Sequence, residues 1–599
     1  MANVTEQNGP PAPAAPATEN RGLWSQMMMM QRIYRESPVF PFLLCTSIGS
    51  AAVVVATAIG QIVLNQWNKP FYDAIERRDV DAFVHQLLVF AGIASVLLLL
   101  NVSQRWFNQE FRLKLREGLT TDLITEWMRP RRAFRLAHAG AIGVNPDQRM
   151  QEDAGHLTEL TTDLAFGLLQ SSTLLFSFVG VLWSLSAGFV FDVGGHSFEI
   201  PGYMVWAAMI YAGSASCLSW LVGRPLIGLN SERYNREATL RFTMMRVNEH
   251  IDSVSLAGGE AGEQQRLESD LDSVLDAMRG IFRAQINLGW VIDGYGWVTV
   301  VAPLLVAAPV YFAGHISFGG LMMAVGAFNQ VHTSLRWFIA NIGAITDWRA
   351  TLQRITDFRS ALVGTDALED AEGRIEFQLN ETNRLTIDGL SVNSSTGRTR
   401  LDDPHVQISP GERVLIMGDA GAGKTLFFRA LAGLWPWGSG RIGLPKDEAV
   451  TFLARTPYLA PGKLRDVLSY PNTETITDAA LAEALSKVGM QRIAPRLDED
   501  ARWDRELNDE ETRLVAIARL LLQRPHWIVI DQLLEVLEGP SQRRVLSLLR
   551  TELADAAVVA IGRPLPDGHQ FSRVIELIRD QRPPRQQQRV NPQLESTKA

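Results

Sequence analysis

The chain has 599 residues, and 57 Lys and Arg against 65 Asp and Glu give it a formal net charge of −8. A net acidic chain without a dominant basic face gives no support for nucleic-acid binding. Its two cysteines both lie in apolar stretches, which excludes a disulfide framework and a Cys-rich metal site. Hydrophobic residues make up 46% of the chain, and most of the charge-free sequence precedes residue 346. The composition therefore indicates a membrane half followed by a soluble half.

The N-terminal segment 1–36 is predicted to be a disordered tail followed by an interfacial segment. Residues 1–20 are polar and rich in Ala and Pro, a composition that cannot bury enough apolar surface to fold. They carry no basic region before a short apolar core, so we do not expect a cleaved signal peptide.

Six windows are long and apolar enough to cross a hydrocarbon core of about 30 Å, which takes ~20 helical residues. Six windows of this length in one chain favour membrane spans over buried helices of a soluble protein. The windows are 41–64, 82–104, 164–191, 200–223 and a pair between Asp293 and Arg336 that is split by a turn near Gly314 and His315.

Charges in the connections predict the orientation. The connections 105–163 and 224–283 are rich in Arg, whereas the loop 189–199 and the turn at Gly314 contain no Lys or Arg. Because positive loops stay in the cytoplasm, we expect both termini and both basic connections to be cytoplasmic. The connections have helical composition, so the membrane helices are expected to continue beyond the bilayer.

The strongest local motif is the apolar run Val414 to Met417 followed by GDAGAGKT, residues 418–425. Strand, glycine loop and helix in this order place backbone N–H groups and a lysine around phosphates, and the hydroxyl of Thr425 can hold Mg²⁺. The alternative is a glycine turn that opens a helix, with a solvated lysine. The predicted phosphate-binding residues are Gly418, Asp419, Ala420, Gly421, Ala422, Gly423, Lys424 and Thr425.

A second apolar strand, Trp527 to Ile530, ends in Asp531. Four apolar residues before an acid are typical of a Walker B strand, whose carboxylate holds Mg²⁺. A buried strand that ends in a turn aspartate is the alternative. Together with the glycine loop, this strand predicts an ATP and Mg²⁺ site with Thr425 and Asp531 as the metal-holding residues.

Residues 37–575 resemble the ABC transporters of the SbmA/BacA-like group and, less closely, the peroxisomal subfamily D. The segments that carry the resemblance are LNQWNKPFYDAI (64–75), VNPDQRMQED (144–153), IPGYMVWAA (200–208), FGGLMMAVGAFNQV (318–331), RALAGLWPWGSGRI (429–442), FLARTPYL (452–459) and GKLRDVLSYP (462–471).

The resemblance implies a six-helix, exporter-like α-helical membrane domain, 37–358, a linker, 359–378, an α/β P-loop ABC nucleotide-binding domain, 379–579, and a disordered tail, 580–599. It also implies a homodimer in the bacterial inner membrane that takes up peptides, glycopeptide antibiotics or cobalamin-like compounds. Some members of the group lack the ATPase domain and are driven by protons.

Several positions depart from the family's ATPase pattern. Arg455 stands where the family has a Gln, and Gln532 stands where it has the catalytic Glu. An amide cannot accept the proton of the attacking water, and loss of a general base costs roughly 10²–10⁴ in rate. The switch histidine is absent from Gly562-Arg563-Pro564, and His569 better matches a later, non-catalytic position.

The signature motif LSxGE is replaced by Leu507-Asn508-Asp509-Glu510-Glu511, and the D-loop reads Glu535 to Glu538. No aromatic suited to stacking on adenine lies between Gln378 and Leu426. Asn508 with Glu511 forms a capping-box pattern, so we expect the helix to be kept and its ATP-gripping function lost.

These departures leave three hypotheses. The first is a transporter that binds ATP with weak or absent hydrolysis, the second an ATP-hydrolysis-driven transporter, and the third a proton-driven transporter with a scaffolding or regulatory nucleotide domain. Asp293 is the proton-coupling candidate because ionisable groups in membrane segments are costly; Arg336, His85 and His332 also fall in or near spans. Alternatively, Asp293 and Arg336 lie at interfaces or pair with each other.

Overall fold

The computed structural model describes residues 22–137, 145–187, 189–193, 196–367, 374–394, 397–446, 448–472, 476–564 and 571–581. The chain divides into two compact units. Within the described residues, the helical unit comprises 22–127 and 145–360, and the sheet unit comprises 361–581 together with 128–137.

Long helices make up the first part of the chain, where α3 alone has 48 residues and α10 has 53. At 1.5 Å per residue they are about 70–80 Å long, more than twice a hydrocarbon core, which confirms the predicted continuation of the membrane helices. The helices are α1 Leu23–Glu36, α2 Phe40–Arg77, α3 Val80–Trp127, α4 Arg132–Ala137, α5 Pro146–Gln148, α6 Ala154–Ser186, α7 Tyr203–Gly223, α8 Pro225–Glu249, α9 Ile251–Ala257, α10 Glu260–Phe312, α11 Phe318–Ala340 and α12 Ile342–Ala367.

Five stretches within the described residues are long and apolar enough to cross a membrane: Phe40–Arg77, Val80–Trp127, Pro146–Ser186, Tyr203–Glu249 and Glu260–Phe312. The prediction of six is therefore not met in full. The sixth window does form a helix, α11, and the predicted turn at Gly314 separates it from α10. The polar residues Asn329, Gln330 and His332 interrupt the apolar sequence of α11.

Apolar side chains cover much of the outside of these helices. Leu98 and Leu99 of α3 are 64% and 68% exposed, and Phe176 of α6 is 78% exposed. Exposed apolar surface on this scale marks an interaction site, and lipid is the partner that fits helices of this length. An internal cluster that includes Phe178, Met204 and Phe328 packs α6, α7 and α11 together.

Between α6 and α7, a short hairpin joins β1 Val190–Val193 to the antiparallel strand β2 His196–Glu199. The sequence predicted only a loop without Lys or Arg at this place.

A buried carboxylate ties α2 to the start of α11. Asp73 accepts the backbone N–H of Gly319 at 2.8 Å and the hydroxyl of Ser317 at 3.0 Å. A Cβ on Gly319 would collide with the backbone carbonyl of Lys69, so the close approach of the two helices requires glycine. The Asp73 charge also lies at the positive end of the α11 dipole.

Replacing Asp73 with alanine is expected to destabilise the helical unit by about 1–3 kcal/mol, because a buried N–H and a hydroxyl lose their acceptor. Asp73→Asn keeps one acceptor oxygen and should cost less. Thermal melting of the detergent-solubilised chain measures this effect, and Asp293→Ala is the matched control because Asp293 is exposed on α10. Equal melting temperatures for Asp73→Ala and Asp293→Ala would contradict the capping role.

The sheet unit carries the remaining described strands and helices. The strands are β3 Glu376–Asn380, β4 Leu385–Ser394, β5 Gly397–Leu401, β6 His405–Ile408, β7 Arg413–Met417, β8 Gly438–Pro445, β9 Val450–Leu453, β10 Gly462–Lys463, β11 Asp500–Ala501, β12 Trp527–Asp531, β13 Ala557–Gly562 and β14 Arg573–Gln581. The helices are α13 Lys424–Leu431, α14 Leu464–Ser469, α15 Asp478–Val488, α16 Trp503–Glu506, α17 Asp509–Gln523 and α18 Gly539–Thr551.

The main sheet has the order β3-β8-β4-β5-β14-β7-β13-β12-β9, and β6 pairs with β4. β14, β7, β13, β12 and β9 run parallel, so the ends of β7 and β12 lie at one edge with β13 between them. Ligands of parallel α/β sheets bind outside the carboxyl ends of the strands. This topology therefore brings the glycine loop after β7 and Asp531 at the end of β12 to the same edge.

Two predicted boundaries need correction. Helix α12 continues to Ala367 and β3 begins at Glu376, so both ends of the predicted linker 359–378 have regular structure. Residues 580 and 581, predicted as tail, complete β14 because they pair with Arg398 and Gly397 of β5. The predicted disordered residues 1–20 and 582–599 lie outside the described residues.

Candidate nucleotide-binding site

The glycine loop has the predicted strand–loop–helix geometry. It follows β7, and α13 begins at Lys424. Gly421 and Gly423 have φ values of 84° and 90°, in the left-handed region that favours glycine. A Cβ on Gly423 would also collide with the side chain of Thr399. The loop therefore needs glycines to keep its backbone N–H groups in place at the positive end of α13.

Lys424 is folded into this loop and is only 8% exposed. Its Nζ donates to the carbonyl oxygens of Gly418 at 2.6 Å and Asp419 at 3.0 Å. The ammonium group is thus held in the position from which a P-loop lysine reaches the phosphates of a nucleotide. The predicted alternative, a solvated lysine, does not describe this side chain.

The structure brings together Thr425 and Asp531, the two predicted metal-holding residues. Asp531 is 2% exposed and is hydrogen-bonded to Thr425. Burial raises the pKa of the Asp531 carboxyl above its usual value, although the hydrogen bonds from Gln532 and Thr425 and the charges of Arg429 and Arg455 oppose that rise. A cation at this place would offset the cost of burying the carboxylate, so the donor set fits Mg²⁺.

Gln532 lies directly between these two residues. Its Nε2 donates to Thr425 Oγ1 at 3.0 Å and to Asp531 Oδ1 at 3.0 Å. Its backbone has a φ of 51°, and its N–H donates to Ile561 of β13 at 2.8 Å. One amide group therefore holds the two oxygens that the metal would use. A glutamate carboxylate could not donate these hydrogen bonds. The glutamine therefore changes the hydrogen bonding of Thr425 and Asp531 as well as the proton chemistry at position 532.

Two residues that contact the loop were not predicted. Thr399 of β5 donates its hydroxyl hydrogen to Ala422 O at 3.0 Å, and the Arg579 guanidinium of β14 donates to Gly421 O. Both are distant from the loop in sequence and belong to no local motif. Only the order of the strands, which places β5 beside β14 and β14 beside β7, brings them to the loop.

Arg455 stands where the family has its Gln, and Arg563 lies in the segment Gly562-Arg563-Pro564, from which the family's histidine is absent. Arg455 is exposed, and its carbonyl oxygen accepts a hydrogen bond from Arg513 at 3.2 Å. Arg563 directly follows β13, and its Nε lies 3.8 Å from Glu535 Oε2. The predicted non-catalytic His569 lies outside the described residues.

The altered signature segment begins α17 as predicted. The Asn508 side chain accepts the Glu511 N–H at 2.8 Å, and Glu511 Oε2 accepts the Asn508 N–H at 3.1 Å, which confirms the capping box. Arg492 forms an ion pair with Glu511. Glu510 is half-buried in the first turn of the helix.

The charged groups predicted for the membrane segments are dispersed. Asp293, Arg336 and His85 are exposed, whereas His332 is buried with its ring 5.2 Å from that of Tyr211. Among the described ion pairs, Asp293 and Arg336 do not contact each other, so the predicted pairing alternative is wrong. Nor does any described group of three His, Cys, Asp or Glu side chains converge on a metal site.

Comparison with known families matches both parts of the chain. Residues 42–312 match the model of the ABC transporter transmembrane region 2, and residues 401–534 match the ABC transporter model. The two matches follow each other in the order of a membrane region fused to an ATP-binding domain.

Relatives with both regions support the same assignment. The chain is 27% identical over 522 residues to "Inner membrane ABC transporter ATP-binding protein YddA" of Escherichia coli, covering 86% of this chain and 91% of that protein. It is 25% identical to "ABC transporter D family member 2, chloroplastic" of Arabidopsis thaliana, covering 82% and 77%. It is 21% identical to human "ATP-binding cassette sub-family D member 3", covering 82% and 79%. Over more than four fifths of its length the chain is thus similar to ABC transporters that fuse a membrane region to an ATP-binding domain.

Proposed function

We propose that the protein is an SbmA/BacA-like transporter of the bacterial inner membrane that binds ATP with Mg²⁺ and hydrolyses it slowly or not at all. It works as a homodimer with both termini in the cytoplasm, and it imports peptides, glycopeptide antibiotics or cobalamin-like compounds. A membrane domain, 37–358, a nucleotide-binding domain that includes all of β3 and β14, Glu376 to Gln581, and the site residues Gly418 to Thr425 with Asp531 belong to this proposal.

The observation that carries it is the position of Gln532. Lys424 and the N–H groups of the glycine loop are arranged to bind phosphates, and Thr425 with Asp531 would hold Mg²⁺, which neutralises phosphate charge when bound. Gln532 bridges these two residues with an amide. An amide can orient a water molecule but cannot take its proton, so the site favours binding over turnover.

The signature segment supports the same conclusion. Each ATP site of a dimer takes the glycine loop from one copy and the signature from the other, and this chain is altered in both. Glu510 places a negative charge where the family has glycine. Unit charges 4 Å apart repel by about 4 kcal/mol at an effective dielectric of 20. A partner with intact motifs would therefore restore neither site.

Lys424→Ala separates ATP binding from transport. We expect it to weaken ATP binding by the purified full-length dimer at least about tenfold, the loss of roughly one charged hydrogen bond, while Lys463→Ala, which changes an exposed lysine of β10, leaves binding unchanged. Equilibrium binding of a fluorescent ATP analogue measures both. Hydrolysis of several ATP per second that Lys424→Ala abolishes would contradict the proposal and favour the ATP-driven alternative.

The same variants distinguish the proton-driven alternative, for which Asp293 is the candidate coupling residue. Uptake of a labelled proline-rich peptide that survives Lys424→Ala but stops with an uncoupler would support a proton or membrane-potential drive. Asp293→Asn should then reduce uptake without changing ATP binding.

A further inference from the structure

A small cavity lies beside Gln532 at the carboxyl edge of the sheet. Its lining includes the apolar Ile530 and Ala560 and the polar or charged Gln532, Glu535 and Arg563. It has room for about one water molecule. A water molecule needs several polar partners to remain in such a space, and Gln532, Glu535 and Arg563 can supply them.

Glu535 is the carboxylate of this cavity. It lies in the 3₁₀ turn Leu534–Val536, three residues after Gln532. Its Oε1 is fully buried and has no hydrogen-bond partner among the described residues, and its Oε2 lies 3.8 Å from Arg563 Nε. A buried carboxylate oxygen without a donor is costly, and a water molecule in the adjacent cavity would supply that donor.

The backbone of β13 leaves space for this carboxylate. A Cβ on Gly562 would lie 2.8 Å from Glu535 Oε1, too close for a van der Waals contact. Gly562 does not have a positive φ, so its backbone conformation does not itself require glycine. The missing side chain at position 562 instead lets Glu535 occupy its place beside Gln532.

We propose that Glu535 is the general base of the residual ATP hydrolysis and replaces the acid missing at position 532. Gln532 orients the water, and Glu535 takes its proton as the water oxygen bonds to the γ-phosphorus. The bond from that phosphorus to ADP breaks with its electron pair going to ADP, and Glu535 then releases its proton to solvent. This inference rests on the proposed function, in which ATP binds and is hydrolysed slowly.

Two variants of the full-length dimer test the proposal. Glu535→Gln removes the base but keeps its shape, and Gly562→Ala keeps the acid but displaces it. Both are expected to lower the single-turnover rate of ATP hydrolysis by about 100-fold, the usual contribution of a general base, with unchanged ATP affinity. Glu381→Gln is the matched control because it makes the same charge change at a side chain that is 86% exposed and lies outside the cavity.

A second measurement does not depend on activity. A crystal structure of the nucleotide-free chain at a resolution that shows ordered waters should contain one water within hydrogen-bond distance of Glu535 Oε1, and Gly562→Ala should displace it. In a Gln532→Glu background, Glu535→Gln should have little effect on the rate, because the acid at position 532 then acts as the base.

An unchanged rate in Glu535→Gln, hydrolysis below detection in the native chain, or a cavity without water would each overturn the proposal. Failure of the proposed function is a different result. If the native chain does not bind ATP in the Lys424 experiment, that function fails, whereas ATP binding with a rate insensitive to Glu535 removes only the general base proposed here.

Discussion

The double variant Gln532→Glu with Glu510→Gly is expected to hydrolyse ATP at least about 100-fold faster than the native chain. Gln532→Glu restores a group that can take the proton of water directly beside Thr425 and Asp531. Glu510→Gly removes a negative charge from the first turn of α17, where the family grips the γ-phosphate. Phosphate release by the purified dimer under single-turnover conditions measures the effect.

Each single change should raise the hydrolysis rate less than tenfold, because the other defect remains in both ATP sites of the dimer. The effects of groups that act as a unit are not additive. Asp509→Gly combined with Gln532→Glu is the control, since it introduces a glycine into the same turn at a side chain that is 92% exposed. If this control hydrolyses ATP as fast as the double variant with Glu510→Gly, removal of a negative charge beside the phosphate is not the cause of the faster hydrolysis.

Trp503→Ala is expected to destabilise the sheet unit by about 3–5 kcal/mol, the usual cost of emptying a large aromatic site. The Trp503 side chain is fully buried, and its Nε1 donates to Gly462 O at 2.9 Å. The Arg496 guanidinium lies 4.8 Å from the centre of its ring. Loss of the indole therefore leaves a cavity, removes one donor from the Gly462 carbonyl and takes from Arg496 its aromatic partner.

Calorimetry of the solubilised full-length chain measures this loss as a lower transition temperature of the sheet unit. Trp24→Ala is the control, because Trp24 is 78% exposed on α1 and its removal should change stability little. A Trp503→Ala transition within one degree or so of the native one would show that the site collapses around the smaller side chain.

Local patterns predicted the parts of the structure that depend on neighbours in sequence. The strand before Gly418, the helix that begins at Lys424 and the capping box of Asn508 and Glu511 are set by residues a few positions apart, and the structure confirms them. The apolar windows likewise predicted the long helices because hydropathy is a local sum.

Contacts between distant strands could not be predicted in the same way. Nothing near Thr399 or Arg579 indicates the glycine loop, because the pairing of β5, β14 and β7 alone brings them there. The Gln532 side chain is positioned by hydrogen bonds to two partners, one of which, Thr425, is 107 residues away in sequence. The sixth window forms the helix α11, but its two amides and its histidine interrupt the apolar residues and keep it out of the five most apolar stretches.

The helix Arg132–Ala137 has a practical consequence for protein production. Although it is encoded between two membrane segments, it belongs to the sheet unit, where the Arg429 guanidinium lies 6.0 Å from the Phe134 ring and the Arg131 guanidinium 6.0 Å from the Phe377 ring. A fragment that starts at residue 379 would lack this helix as well as Phe377, and it would expose the surface that they cover. To be expressed alone, the ATP-binding part therefore needs residues 128–137 fused to it, and a simple truncation does not suffice.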